Sequence, residues 1–146
     1  MIFVKLKIVP VSNHWLIYQV DGNKTPIGRI RITPNSIIFL LNDSKARLET
    51  RVMDDRVFYK ISSNGTVLKS FSFTTKNSRI LKWKTIEESP KILKCYSKYS
   101  RAFLKYKDTK IAHTLPIAGN THILNLQSSP DFSPIVLLAS FFPFFN

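Results

Sequence analysis

The side chains best placed to do chemistry in this sequence are the lysines and arginines between positions 79 and 110. This stretch carries ten basic residues and three acidic ones. Ammonium and guanidinium groups at this density attract phosphates and carboxylates, so the chemistry they offer is the binding of a polyanion. We take six of them as candidate ligands for such an anion: Arg79, Lys82, Lys84, Lys94, Lys105 and Lys107.

The spacing of these bases supports a shared surface. Lys82 and Lys84 are two positions apart, as are Lys105 and Lys107. Alternate residues of a β-strand point to the same face, and neighbouring strands lie about 4.8 Å apart, so the pairs can merge into one patch. An exposed aromatic ring in such a patch could stack on a nucleic-acid base or sit at a lipid interface. The aromatic candidates are Tyr96, Tyr99 and Tyr106.

The whole chain is basic, with 22 Lys and Arg against 9 Asp and Glu and a net charge of +13. The residues alone leave four interpretations open: an anionic phospholipid surface, nucleic acid, an acidic protein, or a solvated basic face without a partner. We expect anionic phospholipid or phosphoinositide headgroups first. A nucleic-acid-binding module is the alternative, and a protein-interaction scaffold is the third.

Other reactive residue types form no catalytic pattern. His14, His113 and His122 are scattered without the spacing of metal ligands, and a lone Cys95 is by default a buried structural thiol. The acidic pairs Asp54-Asp55 and Glu87-Glu88 are adjacent in sequence, so on a strand they would face opposite ways. We therefore predict a non-enzymatic protein with no catalytic residue, metal site or cofactor.

The single cysteine allows no intramolecular disulfide, which favours a reducing compartment. The N-terminal residues 1–9 have the pattern of a strand and lack the basic-then-apolar order of a signal peptide. No run is long enough to form a transmembrane helix, which takes roughly 20 apolar residues. We expect a cytoplasmic protein, peripheral at the inner membrane surface if lipid is its partner.

The elements that must position these bases are strands. Short segments with β-branched and aromatic residues at alternate positions follow one another from the N-terminus to about residue 126, separated by turn signals. Asp21-Gly22-Asn23, Asn64-Gly65 and Lys107-Asp108 are turns that connect hairpins, because such residues tolerate a positive φ. Strands at this spacing indicate an all-β barrel or sandwich.

The last residues of the chain break this pattern. Residues 132–145 are apolar on every side apart from two serines, so as a helix they cannot lie on a surface with one wet face. Ser133 suits the N-cap and Pro134 the first helical position, and Pro143 marks the last turn. We predict a helix from about Pro134 to Phe142 that is surrounded by strands.

Together these patterns predict one domain over residues 1–146: an antiparallel barrel that encloses a central helix at about 133–145. A barrel of about eight strands is filled by its own side chains, so a barrel that holds a helix needs more. We expect about twelve strands.

This pattern resembles the tubby C-terminal-domain-like superfamily, which includes tubby-like proteins, phospholipid scramblases and LURP-one-related plant proteins. The likeness lies in the string of short strands, in the hairpin Val20-Asp21-Gly22-Asn23 to Ile27-Gly28-Arg29-Ile30, and in the apolar run Ser133 to Phe142. The resemblance implies a 12-stranded barrel threaded by the C-terminal helix, and some members bind anionic lipids through surface Lys and Arg. It supplies no lipid-binding motif that transfers residue by residue.

Overall fold

Antiparallel strands close into one barrel in which each strand pairs with its neighbours in the sequence and β1 pairs with β12. The computed structural model describes residues 3–22, 24–73, 80–99, 101–117, 120–127 and 129–145. The predicted all-β barrel of about twelve strands is confirmed. Its strands are β1 (Phe3–Val11), β2 (His14–Gln19), β3 (Gly28–Ile32), β4 (Ile37–Leu41), β5 (Ser44–Met53), β6 (Arg56–Ser63), β7 (Thr66–Phe73), β8 (Ile80–Thr85), β9 (Ile92–Lys98), β10 (Arg101–Tyr106), β11 (Thr109–Ile117) and β12 (Thr121–Gln127).

Alternation along each strand divides the barrel into a dry interior and a charged exterior. In β8, Leu81 and Trp83 are buried, whereas Lys82 and Lys84 are exposed. The inward residues are mostly aliphatic and line the whole circumference, from Leu6 and Ile8 on β1 to Leu124 and Leu126 on β12. The outward positions are therefore set by the core, because a strand that buries one face must expose the other.

The C-terminal segment fills the barrel as predicted. Helix α1 spans Pro134–Phe141, and a single 3-10 turn follows at Phe142–Phe144. Every residue from Ile135 to Phe141 is buried, against strands β4, β5, β6, β10 and β12. Ser133 is the N-cap residue, but its side chain makes no capping hydrogen bond. Instead its carbonyl oxygen accepts from the backbone N–H groups of Val136 and Leu137.

Aromatic side chains seal one end of the barrel around the end of the chain. The ring of Phe145 stacks on His122 with centroids 4.7 Å apart, and the Trp15 ring lies 6.2 Å from Phe145. His122 is buried, and its Nε2 has no hydrogen-bond partner among the described residues. Burial in this apolar setting lowers the pKa of His122, because the charged imidazolium would lose its hydration.

The opposite end is held by a polar contact to the segment that leads into the helix. The Tyr106 hydroxyl donates to the Asp131 carboxylate at 2.9 Å, and Lys91 forms an ion pair with the same carboxylate at 3.4 Å. The ring of Phe132 packs edge-on against Tyr106. The hydrogen bond from Tyr106 and the charge of Lys91 lower the pKa of Asp131. The helix is thus fastened at both ends.

Among the glycines that the structure describes, Gly28 is the one where the approach of two strands excludes a side chain. A β-carbon built there would overlap the carbonyl oxygen of Leu40 on β4. The glycine that the sequence places before Arg29 and Ile30 is therefore required by the pairing of β3 with β4.

Shortening one side chain in the centre of the helix should destabilise the whole protein. Leu138 is fully buried, and Leu→Ala in such a site costs about 2–5 kcal/mol. We expect this loss for Leu138→Ala in urea unfolding followed by circular dichroism. Val52 is 64% exposed, and Val52→Ala should change the free energy of unfolding by less than about 0.5 kcal/mol. Equal effects of the two changes would mean that the helix is not the centre of the core.

The stability of the barrel should fall in mild acid. An unfolded histidine titrates near about 6.5, and the folded pKa of His122 is lower. As the pH falls below the unfolded value, the unfolded chain therefore binds more protons than the folded one and the free energy of unfolding decreases. The urea midpoint should drop between about pH 7.5 and about pH 5.

The matched variant for this effect is His122→Phe, which keeps a ring against Phe145 and removes the titration. Its urea midpoint should depend less on pH. A residual dependence is expected from His113, whose pKa is lowered by burial and by the charges of Arg101, Lys110 and Lys5. An unchanged pH dependence in His122→Phe would contradict the assignment.

Candidate anion-binding surface

The six predicted ligands do not all lie on one strand face. Lys82, Lys84 and Lys94 are exposed on β8 and β9, and Lys105 is half-buried on β10. Arg79 lies outside the described residues. The expectation that Lys107 shares a strand face with Lys105 is wrong, because β10 ends at Tyr106. Lys107 lies in the following turn with φ 52°, where its ammonium group is 5.2 Å from the centre of the Tyr106 ring.

Four lysines form a continuous row across β8 to β11. Lys82 is the cross-strand partner of Lys94, Lys94 of Lys105, and Lys105 of Lys110. The last pairing lies between the Lys107-Asp108 turn and a shift of register at Leu104/Lys105. Adjacent members are about 4.8 Å apart at the backbone, so the row is about 15 Å long.

A second row lies beside the first on β6, β7 and β8. Lys60 faces Lys69, and Lys69 faces Lys84. We call the two rows together the lysine face: Lys60, Lys69, Lys82, Lys84, Lys94, Lys105 and Lys110.

Sequence reasoning found only part of this surface. Lys60 and Lys69 are equidistant from the Asn64-Gly65 turn, and Lys105 and Lys110 are equidistant from the Lys107-Asp108 turn. In a hairpin with a two-residue turn, residues equidistant from the turn are cross-strand partners. Both turns were recognised in the sequence, so this symmetry was the signal that identifies Lys60, Lys69 and Lys110.

Lysine ammonium groups cover the aromatic rings in the first row. The rings of Tyr96 and Phe103 stack with centroids 5.2 Å apart. The Nζ atoms of Lys94 and Lys105 lie 6.0 and 5.6 Å from the centre of the Tyr96 ring, and that of Lys110 lies 4.8 Å from the Phe103 ring. Cation–π attraction holds these ammonium groups over the rings, which orients the lysines along the surface.

Apolar side chains are exposed between the lysines. The exposed fractions are 50% for Phe71, 48% for Ile80 and 43% for Ile92. Ile92 faces Lys84 across the β8–β9 pair, and Ile80 faces Tyr96. Phe71 and Ile80 share a shallow groove with Lys69, Lys82 and Lys84. The surface therefore presents cations and apolar groups side by side.

Acidic residues are sparse beside the two rows. Among the cross-strand partners of the seven lysines in the described strands, one is acidic and the others are lysines or Ile92. Glu49 faces Lys60 from β5, at the margin of the surface. Like charges placed directly opposite each other on neighbouring strands are destabilising. The lysine face therefore stores a repulsion that a bound polyanion would relieve.

Cys95 and His113 lie in the barrel wall outside the lysine face. Cys95 is fully buried in the barrel wall, and burial raises the pKa of its thiol well above the ordinary value. His113 contacts Asn125 at 3.3 Å on the outer surface. Within the described ranges, no three His, Cys, Asp or Glu side chains come together in a way that could hold a metal ion.

Comparisons with protein-family models, curated proteins and solved structures give no match. Membership of the tubby-like superfamily therefore stays a prediction that rests on the sequence pattern. In the part of the chain that the structure describes, no helix is both long and apolar enough to cross a membrane.

The Cys95 thiol should be unreactive in the folded protein. Thiolate is the reactive species, and burial opposes both its formation and access by reagents. We expect no labelling by a thiol-reactive dye in buffer and full labelling in urea. A control variant, Cys95→Ala with Ile92→Cys, puts a thiol on the exposed face of the same strand and should react in buffer. Rapid labelling of the unmodified protein in buffer would contradict the burial of Cys95.

Proposed function

We propose that this barrel is a non-catalytic module that binds anionic phospholipid membranes through the lysine face. The observation that carries the proposal is the row Lys82, Lys94, Lys105 and Lys110, in which like charges lie directly opposite one another across four strands. The arrangement costs stability unless an anion neutralises it. A membrane surface that contains anionic lipid supplies many phosphates in one plane and matches such an extended row.

The apolar groups among the lysines favour a membrane over nucleic acid. Phe71, Ile80 and Ile92 can enter the boundary between headgroups and acyl chains while the neighbouring ammonium groups pair with phosphates. By contrast, the ring faces of Tyr96 and Phe103 are occupied by each other and by lysines, which leaves little room for a stacked base. We place the binding at the inner membrane surface, because anionic lipids concentrate in the cytoplasmic leaflet.

One feature supports the nucleic-acid alternative. The Tyr99 ring is 84% exposed in the β9–β10 turn, with the Lys98 ammonium 5.2 Å from its centre. An exposed ring beside a cation can stack on a base. A protein-interaction scaffold is the third candidate, and it requires neither lipid nor nucleic acid.

Removing the first row of lysines should weaken binding to anionic vesicles. The variant carries Lys→Gln at positions 82, 94, 105 and 110. Each lysine near an anionic surface contributes about 1 kcal/mol, so the four together contribute up to about 4 kcal/mol. We expect the affinity for phosphatidylcholine vesicles containing phosphatidylserine to fall by about a hundredfold to a thousandfold. Co-flotation of the protein with the vesicles measures this affinity. Binding should also weaken at high salt, since the Debye length falls from about 10 Å at 0.1 M to about 3 Å at 1 M.

The control removes the same charge from outside the lysine face, with Lys→Gln at positions 5, 7, 24 and 45, all exposed. It should lose much less affinity. Equal losses in both variants would show a net-charge effect and contradict a defined surface. Tighter binding to a single-stranded oligonucleotide than to vesicles would favour the nucleic-acid alternative. Binding to neither would leave the scaffold.

A further inference from the structure

A second group of cations lies on the other side of the barrel and is built from arginine. Arg29 and Arg31 are exposed at alternate positions of β3. Arg31 lies between His14 on β2 and Ile38 on β4, and Ile38 in turn faces Arg47 on β5. We call Arg29, Arg31 and Arg47, together with His14, the arginine face.

The guanidinium groups of the arginine face are available to a ligand. Arg29, Arg31 and Arg47 form no ion pair with any residue that the structure describes. Each guanidinium presents a planar fork of donors that matches two oxygens of a phosphate. Half-buried aliphatic side chains lie between them, as Leu16 and Leu40 flank Arg29 and Ile38 separates Arg31 from Arg47. The arginine face therefore repeats, with another cation, the alternation of charge and apolar group seen on the lysine face.

The topology places Arg29 and Arg31 on the side of the barrel opposite the first row of lysines, whereas Arg47 on β5 and Lys60 on β6 lie on adjacent strands. In a closed ring of twelve strands, β3 and β9 are six strands apart in either direction. Twelve strands spaced about 4.8 Å and tilted by about 40° give a barrel about 24 Å wide. This is about three Debye lengths at physiological salt, so an anion bound at β9 does little to the field at β3. A flat membrane that touches β9 cannot also touch β3.

We propose that the barrel bridges two anionic membrane surfaces, with the lysine face on one and the arginine face on the other. Bridging requires the lysine face to bind anionic membranes as proposed above, and it adds a second, independent contact. A single barrel would then hold two phospholipid surfaces roughly one barrel width apart. The observable consequence is the clustering of vesicles, which a protein with one binding face does not produce as a monomer.

The test measures binding and clustering separately on the same vesicles. Phosphatidylcholine vesicles with phosphatidylserine are mixed with the protein, flotation reports binding, and dynamic light scattering reports clustering. The wild type should do both. Arg29→Gln with Arg31→Gln should keep flotation within about threefold, but should need about tenfold more protein to cluster the vesicles. The matched control, Lys5→Gln with Lys7→Gln, removes two exposed charges at alternate positions of β1 and should cluster vesicles like the wild type.

Four other outcomes would each contradict bridging, the arginine face or the proposed function. Flotation of the wild type without clustering would overturn bridging and leave the proposed function standing. Clustering by the arginine variant at the wild-type concentration would also overturn bridging and point to self-association, which sedimentation velocity would detect. Equal loss of clustering in both double variants would reduce the effect to net charge and overturn the arginine face. Absence of flotation would overturn the proposed function and bridging together.

Discussion

The enclosure of an apolar helix governs the rest of this structure. Helix α1 has no polar face, so its burial requires a wall on every side, and the strands provide one by closing into a ring. Closure also leaves no free sheet edge. Because the inward side chains of the strands pack around the helix, the outward side chains do not have to form the core and can be charged. The concentration of charge on the exterior is the counterpart of the dry interior.

The surface chemistry then follows from register. A lysine becomes part of a row only when the turns and the core set its strand so that another lysine stands opposite. The turn at Asn64-Gly65 does this for Lys60 and Lys69. The same alternation that buries Leu81 and Trp83 exposes Lys82 and Lys84. The residue order along one strand therefore shows which side chains face outward. Which of them are neighbours on the surface depends on the pairing between strands.

The architecture could be predicted from the sequence because the strands and the buried helix have different and easily recognised residue patterns. Alternation between turn signals predicted most of the strands, and a short continuous apolar run predicted β4. A longer apolar run predicted the buried helix, whose start at Pro134 and end near Pro143 are marked by the prolines themselves. The candidate surface was harder to predict. Lys107 was misplaced because alternation was continued through a turn. Lys110 was missed because the symmetry of the hairpin about Lys107-Asp108, which pairs it with Lys105, was not used. The alternation of residues along one strand does not indicate which distant strand pairs with it, so the pairing of β1 with β12 could not be predicted in this way.

That change of register has a consequence of its own. On β11, Ala112 and Thr114 point inward, so unbroken alternation would send Lys110 into the core. The extra residue, Ile111, is buried beside Ala112 and returns Lys110 to the exterior. The extra residue thus changes which residues face outward on one side of the bulge compared with the other side. A deletion of Ile111 would therefore leave Lys110 on the exterior, directly next to the inward Ala112 and in regular alternation with it. The same deletion at a residue outside the bulge would instead exchange inside for outside along the rest of that strand.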